Sequence, residues 1–331
     1  MVNRAILEPA IPTCAILALL LAIPPLINQI RAKNFATIIF VASLALLDIR
    51  HAVNAFAFYG TRSDTWDAPA LCQVDIRARF ALYVAIHGAN ACIFRQLSSA
   101  MRTDRIGAAK TRCEKITLWA FDIALCVALP VINIAILQLA ISSQYTIIPV
   151  IGCLARLPVA WKTVLVTTVV LSIDIVISAV FLGIIIWRLF RHRLQVDSLV
   201  LTSSASKRRF TRLCFLAVAG FLADMTSIGL RLSSFTDQPF VPFALPEGMV
   251  DLPGQTARWS LEGQQYEIVR VIVDIVMSYL AYWILGLDKQ VTDVWRWCVA
   301  FQIGLREHTS GRDEHHAEQG RVQRGVTTIV N

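Results

Sequence analysis

Long apolar stretches separated by short polar connections dominate the chain. A window of about 19 residues picks out segments able to cross a bilayer core, which takes about 20 residues of helix. Seven qualify, at 11–30, 35–59, 74–97, 116–140, 163–187, 213–232 and 267–287. The first, fourth and fifth are cleanly apolar; the second, third and seventh carry ionisable residues and are assigned from context. Backbone amides in lipid have no water to bond, so each segment is predicted helical. The expected fold is all-α, a polytopic membrane protein whose seven-transmembrane bundle occupies 11–287 behind a short extracellular N-terminus at 1–10. Beyond the last span, Val291, Val294, Trp295, Cys298, Phe301 and Leu305 recur at helical spacing, which predicts an amphipathic juxtamembrane helix over 288–305. The polar remainder, 306–331, is expected to be a disordered cytoplasmic tail.

Composition agrees with lipid as the solvent. Of 331 residues, 56% are apolar and only 16% charged, and the mean hydropathy is +0.59. Too few charges are present to cover a soluble domain, which excludes an ordinary cytosolic enzyme, and the wealth of Leu, Ile, Val and Phe excludes a disordered chain. The net charge of +8 does not point to nucleic acid, because the basic residues cluster between apolar runs. They mark topology. Arg31 and Lys33 fill the first connection, Arg102, Arg105, Lys110, Arg112 and Lys115 the third, and Arg188, Arg191, Arg193, Lys207, Arg208 and Arg209 the fifth. The alternate connections hold only Arg62, then Arg156 and Lys162, then Arg258. Positive-inside therefore predicts an outside N-terminus and a cytoplasmic C-terminus. The first apolar run exceeds a signal-peptide core and has its basic residues on the far side, so it is read as a reverse signal anchor.

On this topology Cys14, Cys92, Cys126 and Cys214 lie within spans and Cys113 and Cys298 on the reducing side, leaving Cys72 and Cys153 outside. A bridge between these two would staple the loop after the fourth span over the outer mouth; the alternative is two free thiols. Cys298, at the inner leaflet, is a candidate for palmitoylation or a plain free thiol.

Polar residues inside the spans follow a pattern. Asp75, Arg79, Tyr83, His87 and Asn90 share one face of the third helix, Asp48, His51 and Asn54 recur at threes on the second, and Arg270 and Asp274 are spaced for an intrahelical pair on the seventh. Asp122, Asp174 and Asp224 add one carboxylate to each of the fourth, fifth and sixth spans. A charge at mid-bilayer costs about 2.5–3.5 kcal/mol, so each needs a partner or a water-filled cavity. Interhelical pairing would suffice for any one residue; as a set they outline a polar cavity open to the outside. No hydrolase, P-loop or metal-binding spacing is present, and the six histidines are dispersed, so neither an enzyme, a cofactor nor a metal site is expected. The last span has no lysine, which excludes a retinal Schiff base. The outer segment Ser233 to Gln265 carries four prolines and has the length of a functional loop.

Local wording narrows the class. Cys72 followed by Asp75 and Ile76, then Arg95-Gln96-Leu97, Tyr145 to Gly152-Cys153, and Arg209-Phe210 with Arg212-Leu213 together resemble, in order, motifs of the fungal a-factor type of mating-pheromone receptor, a class D G-protein-coupled receptor of basidiomycete type. The rhodopsin-like Asp-Arg-Tyr and Asn-Pro-x-x-Tyr motifs are missing. The resemblance implies a plasma-membrane receptor for a farnesylated peptide pheromone, acting through a heterotrimeric G protein. It further implies ligand contacts among Asp75, Arg79, Tyr83, His87, Arg270 and Asp274, and G-protein contacts among Arg191, Arg193, Arg208, Arg209 and Arg212. Membrane lipid is the third expected partner. The competing reading is a secondary transporter for a small solute, which also uses buried charges. Against it, seven spans do not divide into two equal inverted repeats.

Overall fold

The computed structural model describes residues 4–58, 69–100, 112–140, 145–148, 151–155, 168–191, 204–236 and 261–286. These form seven helices and one hairpin. Helix α1 spans Arg4–Arg31 and α2 Phe35–Ala57; α3 is the long Pro69–Ala100. Helix α4 runs through three continuous pieces, Arg112–Ile123, a π-helical turn at Ala124–Ala128, and Leu129–Ala140. A two-stranded antiparallel hairpin follows, β1 Tyr145–Ile148 and β2 Gly152–Ala155. Helices α5, Val170–Arg191, α6, Ser204–Thr236, and α7, Leu261–Gly286, complete the bundle.

Six of the seven are apolar enough along at least 18 residues to cross a membrane; α3 is the exception. Its position explains why. Helix α3 packs against α2, α4, α5 and α6 and against β2, and every residue from Tyr83 to Phe94 is buried all round the helix. A central helix faces protein, so it tolerates Asp75, Arg79, His87 and Arg95, which the same helix could not carry against lipid. The surrounding helices invert the pattern of a soluble protein: Leu20 of α1, Phe56 of α2, Val131 of α4 and Trp283 of α7 are exposed large apolar residues, while Asp48, His51, Asn54 and Asp174 are buried. The main apolar core joins Phe40, Leu44 and Leu47 of α2, Ile93, Phe94 and Leu97 of α3, Leu216 of α6 and Ile284 of α7.

Two local features fix α3. At Gly88 a Cβ would overlap the carbonyl of Leu125, so only glycine admits the π-helical turn of α4 so closely. That turn lies just before Pro130, whose missing N–H leaves a carbonyl of the preceding turn without its usual donor. At the other end, Cys72 of α3 is bonded to Cys153 of β2. Hairpin residues Ile148, Ile151, Cys153 and Leu154 are buried, the first, second and fourth in an apolar cluster with Ile11, Ala15, Ala55, Val271 and Ile275. The hairpin therefore plugs one end of the bundle rather than lying loosely across it.

The helices also extend past the apolar stretches. Helix α1 begins at Arg4, inside the expected N-terminal segment, despite Pro9 and Pro12. The basic stretch from Arg188 to Arg212, read from sequence as a loop, is helical at both ends: α5 continues to Arg191 and α6 starts at Ser204, where Ala205, Lys207, Arg208 and Arg209 are strong helix formers. The expected juxtamembrane helix, with Cys298, and the tail fall outside the described residues, as does most of the proline-bearing segment before α7.

The bridge closes a loop with a sequence separation of 81 residues. In a soluble protein such a closure would stabilise the fold by about 4–5 kcal/mol, by restricting the unfolded chain. Lipid already restrains α3 and α4, so the gain here is expected nearer about 2 kcal/mol. Cys72→Ala, Cys153→Ala and the double variant are expected to lose surface expression and melting temperature equally; additive losses would contradict the bridge.

Candidate functional site

The polar face of α3 is stepped into tiers, each reaching a different neighbour. Nearest the hairpin, Asp75 pairs with Arg50 of α2 at 2.6 Å and accepts a hydrogen bond from the Asn54 amide at 3.0 Å. The same amide donates to the Ile151 carbonyl at 3.2 Å, tying α2 and α3 to the turn of the hairpin. Gly152, next in the chain, has φ +97°, and a Cβ there would collide with the Asn54 side chain. Both the left-handed backbone and the close approach demand glycine.

One turn along, Arg79 forms an ion pair with Glu267 of α7, and its guanidinium carbon lies 5.9 Å from the centre of the Tyr83 ring. Arg270 stacks on that ring at 3.7 Å, while the Tyr83 hydroxyl donates to Asp274. Asp274 also meets His51 Nε2 of α2 at 3.3 Å. Tyr83 thus stands at a junction of α2, α3 and α7, with a cation on its face and a carboxylate at its hydroxyl. The intrahelical Arg270–Asp274 pair expected from spacing is not formed. Asp274 turns to His51 and Tyr83, which approach from the bundle interior, and Arg270 takes the ring. Among the described residues Arg270 has no carboxylate within ion-pair distance.

Deeper, His87 Nδ1 lies 2.6 Å from Asp224 of α6, and the Asn90 amide donates to the same carboxylate at 3.3 Å. Gly220 leaves α6 room to approach Asn90. Near the far end Arg95 pairs with Asp122 of α4 at 2.6 Å over the Phe121 ring at 4.9 Å. Arg188 of α5 donates to the Ser98 carbonyl. Asp48 of α2 and Asp174 of α5 are fully buried and stand outside these ion pairs.

Five of the six candidate ligand residues, Asp75, Arg79, Tyr83, Arg270 and Asp274, therefore gather beneath the hairpin, whereas His87 belongs to the deeper pair with Asp224. Among the described residues, burial and mutual pairing close this face, where the sequence predicted an open cavity. Pairing across helices explains the difference: Arg50 and Arg79 meet Asp75 and Glu267, Asp274 is taken by Tyr83 and His51, and Arg270 lies on the Tyr83 ring. Glu267 was missed as a site residue. Its signal is its place three residues before Arg270 and seven before Asp274, on the same helical face. The Ile151 carbonyl was also missed, and no side-chain pattern encodes a backbone acceptor. Of the basic candidates, Arg191 ends α5, Arg208, Arg209 and Arg212 lie on the first turns of α6, and Arg193 is outside the described residues.

Asp75 and Arg50 are both under a tenth exposed, so Asp75→Asn should strand a buried guanidinium at a cost of about 3–5 kcal/mol. Arg50→Gln with Asp75→Asn is expected to recover most of that loss, measured as melting temperature in detergent; equal damage from the single and double variants would contradict the pairing.

A profile of the pheromone A receptor (STE3) family matches residues 10–303. Pheromone receptor 1 of Ustilago hordei is 32% identical over 219 residues, 65% of this chain and 60% of that protein. Pheromone receptor 1 of Mycosarcoma maydis is 27% identical over 296 residues, 86% and 82% of the respective chains. The Pheromone M-factor receptor of Schizosaccharomyces pombe is 24% identical over 235 residues, 69% and 62%. The matched region thus spans less than two thirds of the first and third of these relatives.

Proposed function

This chain belongs to the pheromone A receptor family, a family of multi-pass membrane receptors rather than enzymes, and on that premise we propose that it is a cell-surface receptor for a farnesylated peptide mating pheromone, signalling through a heterotrimeric G protein. The transporter alternative gains no support from the family. An outside N-terminus is supported by the clusters of Lys and Arg in alternate connections and by the Cys72–Cys153 bridge, since disulfides persist in oxidising surroundings. On that orientation the hairpin is the outer cap and the tier beneath it is where the peptide part of a ligand arrives, while its prenyl chain partitions into the outer leaflet.

The observation that carries the reading is the Arg270–Tyr83–Asp274–His51 junction under the hairpin. Among the described residues Arg270 has no carboxylate within ion-pair distance, and its N–H groups suit a peptide carbonyl or carboxyl group. A ligand that draws Arg270 off the ring of Tyr83 loosens the tie among α2, α3 and α7. Agonism follows if the ligand binds that rearranged state more tightly than the resting one, with the G protein favouring the same state from the other end. There Arg191, Arg193, Arg208, Arg209 and Arg212 form the basic docking surface. Asp75, Arg79 and His87 complete the proposed path between ligand and bundle core, and Cys298 is the proposed palmitoylation site.

Expression in a mating-deficient yeast reporter strain tests this directly. Synthetic peptides ending in S-farnesyl cysteine are expected to activate the reporter where unprenylated controls do not, and Arg270→Gln to raise the half-maximal dose at least tenfold at unchanged surface level. Silence toward every lipopeptide, with surface display confirmed, would overturn the ligand assignment. Epitope tags at the two termini, probed in intact cells, should be accessible at the N-terminus alone. Charge reversal at Arg208 and Arg209 is expected to cut signalling while ligand binding persists; intact signalling would remove them from the coupling surface.

A further inference from the structure

At the end of the bundle opposite the disulfide, the α1–α2 turn, the last turns of α3 and the first turns of α4 border an open cavity of about 480 Å³. We propose that it is a binding site for the head group of an anionic phospholipid of the phosphoinositide class. Its place in the inner leaflet rests on the orientation proposed above; the binding chemistry does not.

Charge comes first. Lys33 stands on one wall, in the α1–α2 turn, and Lys115 on another, in the first turn of α4. Neither has a carboxylate within ion-pair distance among the described residues. The acid in the lining, Asp122, is engaged by Arg95 at 2.6 Å, which leaves Lys33 and Lys115 without an acidic partner among the described residues. Lys33 is held in place: it has φ +54°, and the N–H groups of Ala32, Lys33 and Asn34 bond back to the carbonyls of Asn28, Ile30 and Gln29 at 2.9, 3.1 and 3.3 Å. With those backbone donors consumed, the turn offers an anion its side chains. Asn34 and Gln96 line the same cavity with amides able to donate to or accept from hydroxyl groups.

Size and surroundings select the ligand. The volume lies within the range of small-molecule sites and exceeds what a bare phosphate fills. Trp119, in the lining, is 62% exposed and Ile116 beside it 57%, so the cavity opens next to an apolar face of α4 along which acyl chains can lie. An exposed tryptophan at a helix end is also the residue expected at headgroup depth. Two ammonium groups for phosphate, two amides for ring hydroxyls and an apolar exit for chains fit a phosphorylated inositol lipid better than a zwitterionic one.

The test uses the purified full chain in detergent, without pheromone or G protein, so its result is independent of the receptor reading and of the topology that the epitope tags examine. Binding of a fluorescent dioctanoyl phosphatidylinositol 4-phosphate is titrated against three competitors: the unlabelled lipid, dioctanoyl phosphatidylcholine, and water-soluble inositol 1,4-bisphosphate. Saturable one-to-one binding is expected, with phosphatidylcholine ineffective and the soluble head group at least tenfold weaker. Lys33→Asn with Lys115→Gln should weaken binding roughly tenfold to thirtyfold at unchanged melting temperature, Asn being chosen because it tolerates the left-handed backbone. Lys33→Arg with Lys115→Arg should retain binding. Unchanged affinity in the first double variant, or equal competition by phosphatidylcholine, would overturn the proposal; equal affinity for the soluble head group would assign the cavity to a free phosphate instead. Should the first variant fail to fold, a photoactivatable analogue of the same lipid decides on the unmodified protein: crosslinks within the first turns of α4 or the α1–α2 turn support the site, and crosslinks elsewhere overturn it.

Discussion

The bundle is organised by the need to keep the charges of α3 away from hydrocarbon. Each ionised side chain at mid-bilayer costs a few kcal/mol unless it is partnered, and α3 answers by giving successive polar residues successive partners: Asp75 to α2, Arg79 to α7, His87 to α6 and Arg95 to α4. Any neighbour withdrawn from this column leaves a buried charge exposed to lipid or to its own kind. The arrangement of the other helices around α3 follows. A helix encircled by partners can afford a polar face, and helices that encircle it must be apolar on the outside.

The hairpin extends the same logic to the disulfide end of the bundle. Asn54 spans two tasks, donating to Asp75 inside the bundle and to the Ile151 carbonyl in the hairpin turn, while the covalent bond to α3 sits on the adjacent strand. Cap and uppermost ion pair are therefore one unit. Under the proposed function a ligand reaching that side would meet, among the described residues, the ring stack of Arg270 and the carboxylate junction below it rather than an empty vestibule. That is consistent with a receptor whose resting state stores paired charges and whose active state must re-pair them with the help of the ligand.

Much of this was legible in the chain, and the parts that were not share a cause. Seven apolar segments and the four-residue rhythm of Asp75, Arg79, Tyr83 and His87 sufficed to turn that face of α3 into the bundle, because both are one-dimensional signals; that α3 is central was not legible. Elimination on the proposed topology singled out Cys72 and Cys153 but left a bridge and two free thiols both open, and the structure forms the bridge. Partner choice was not legible: spacing favoured Arg270 with Asp274, but His51 and Tyr83, both distant in sequence, win the carboxylate by lying on the interior side. Nor was the filled state of the site beneath the hairpin, which depends on partners meeting from three helices. The extension of α5 and α6 into the basic connection escaped a hydropathy window because helix propensity persists where hydrophobicity ends.

The contact between Gly88 and the Leu125 carbonyl carries a mechanical corollary. Side chains at an interface can switch rotamers and let two helices slip by a turn, but a peptide oxygen seated against a bare Cα has no alternative pose. A slip of α3 by one turn would bring Val84 or Cys92, each carrying a Cβ, to the place where Gly88 meets that oxygen, so the contact resists axial sliding of α3 along α4.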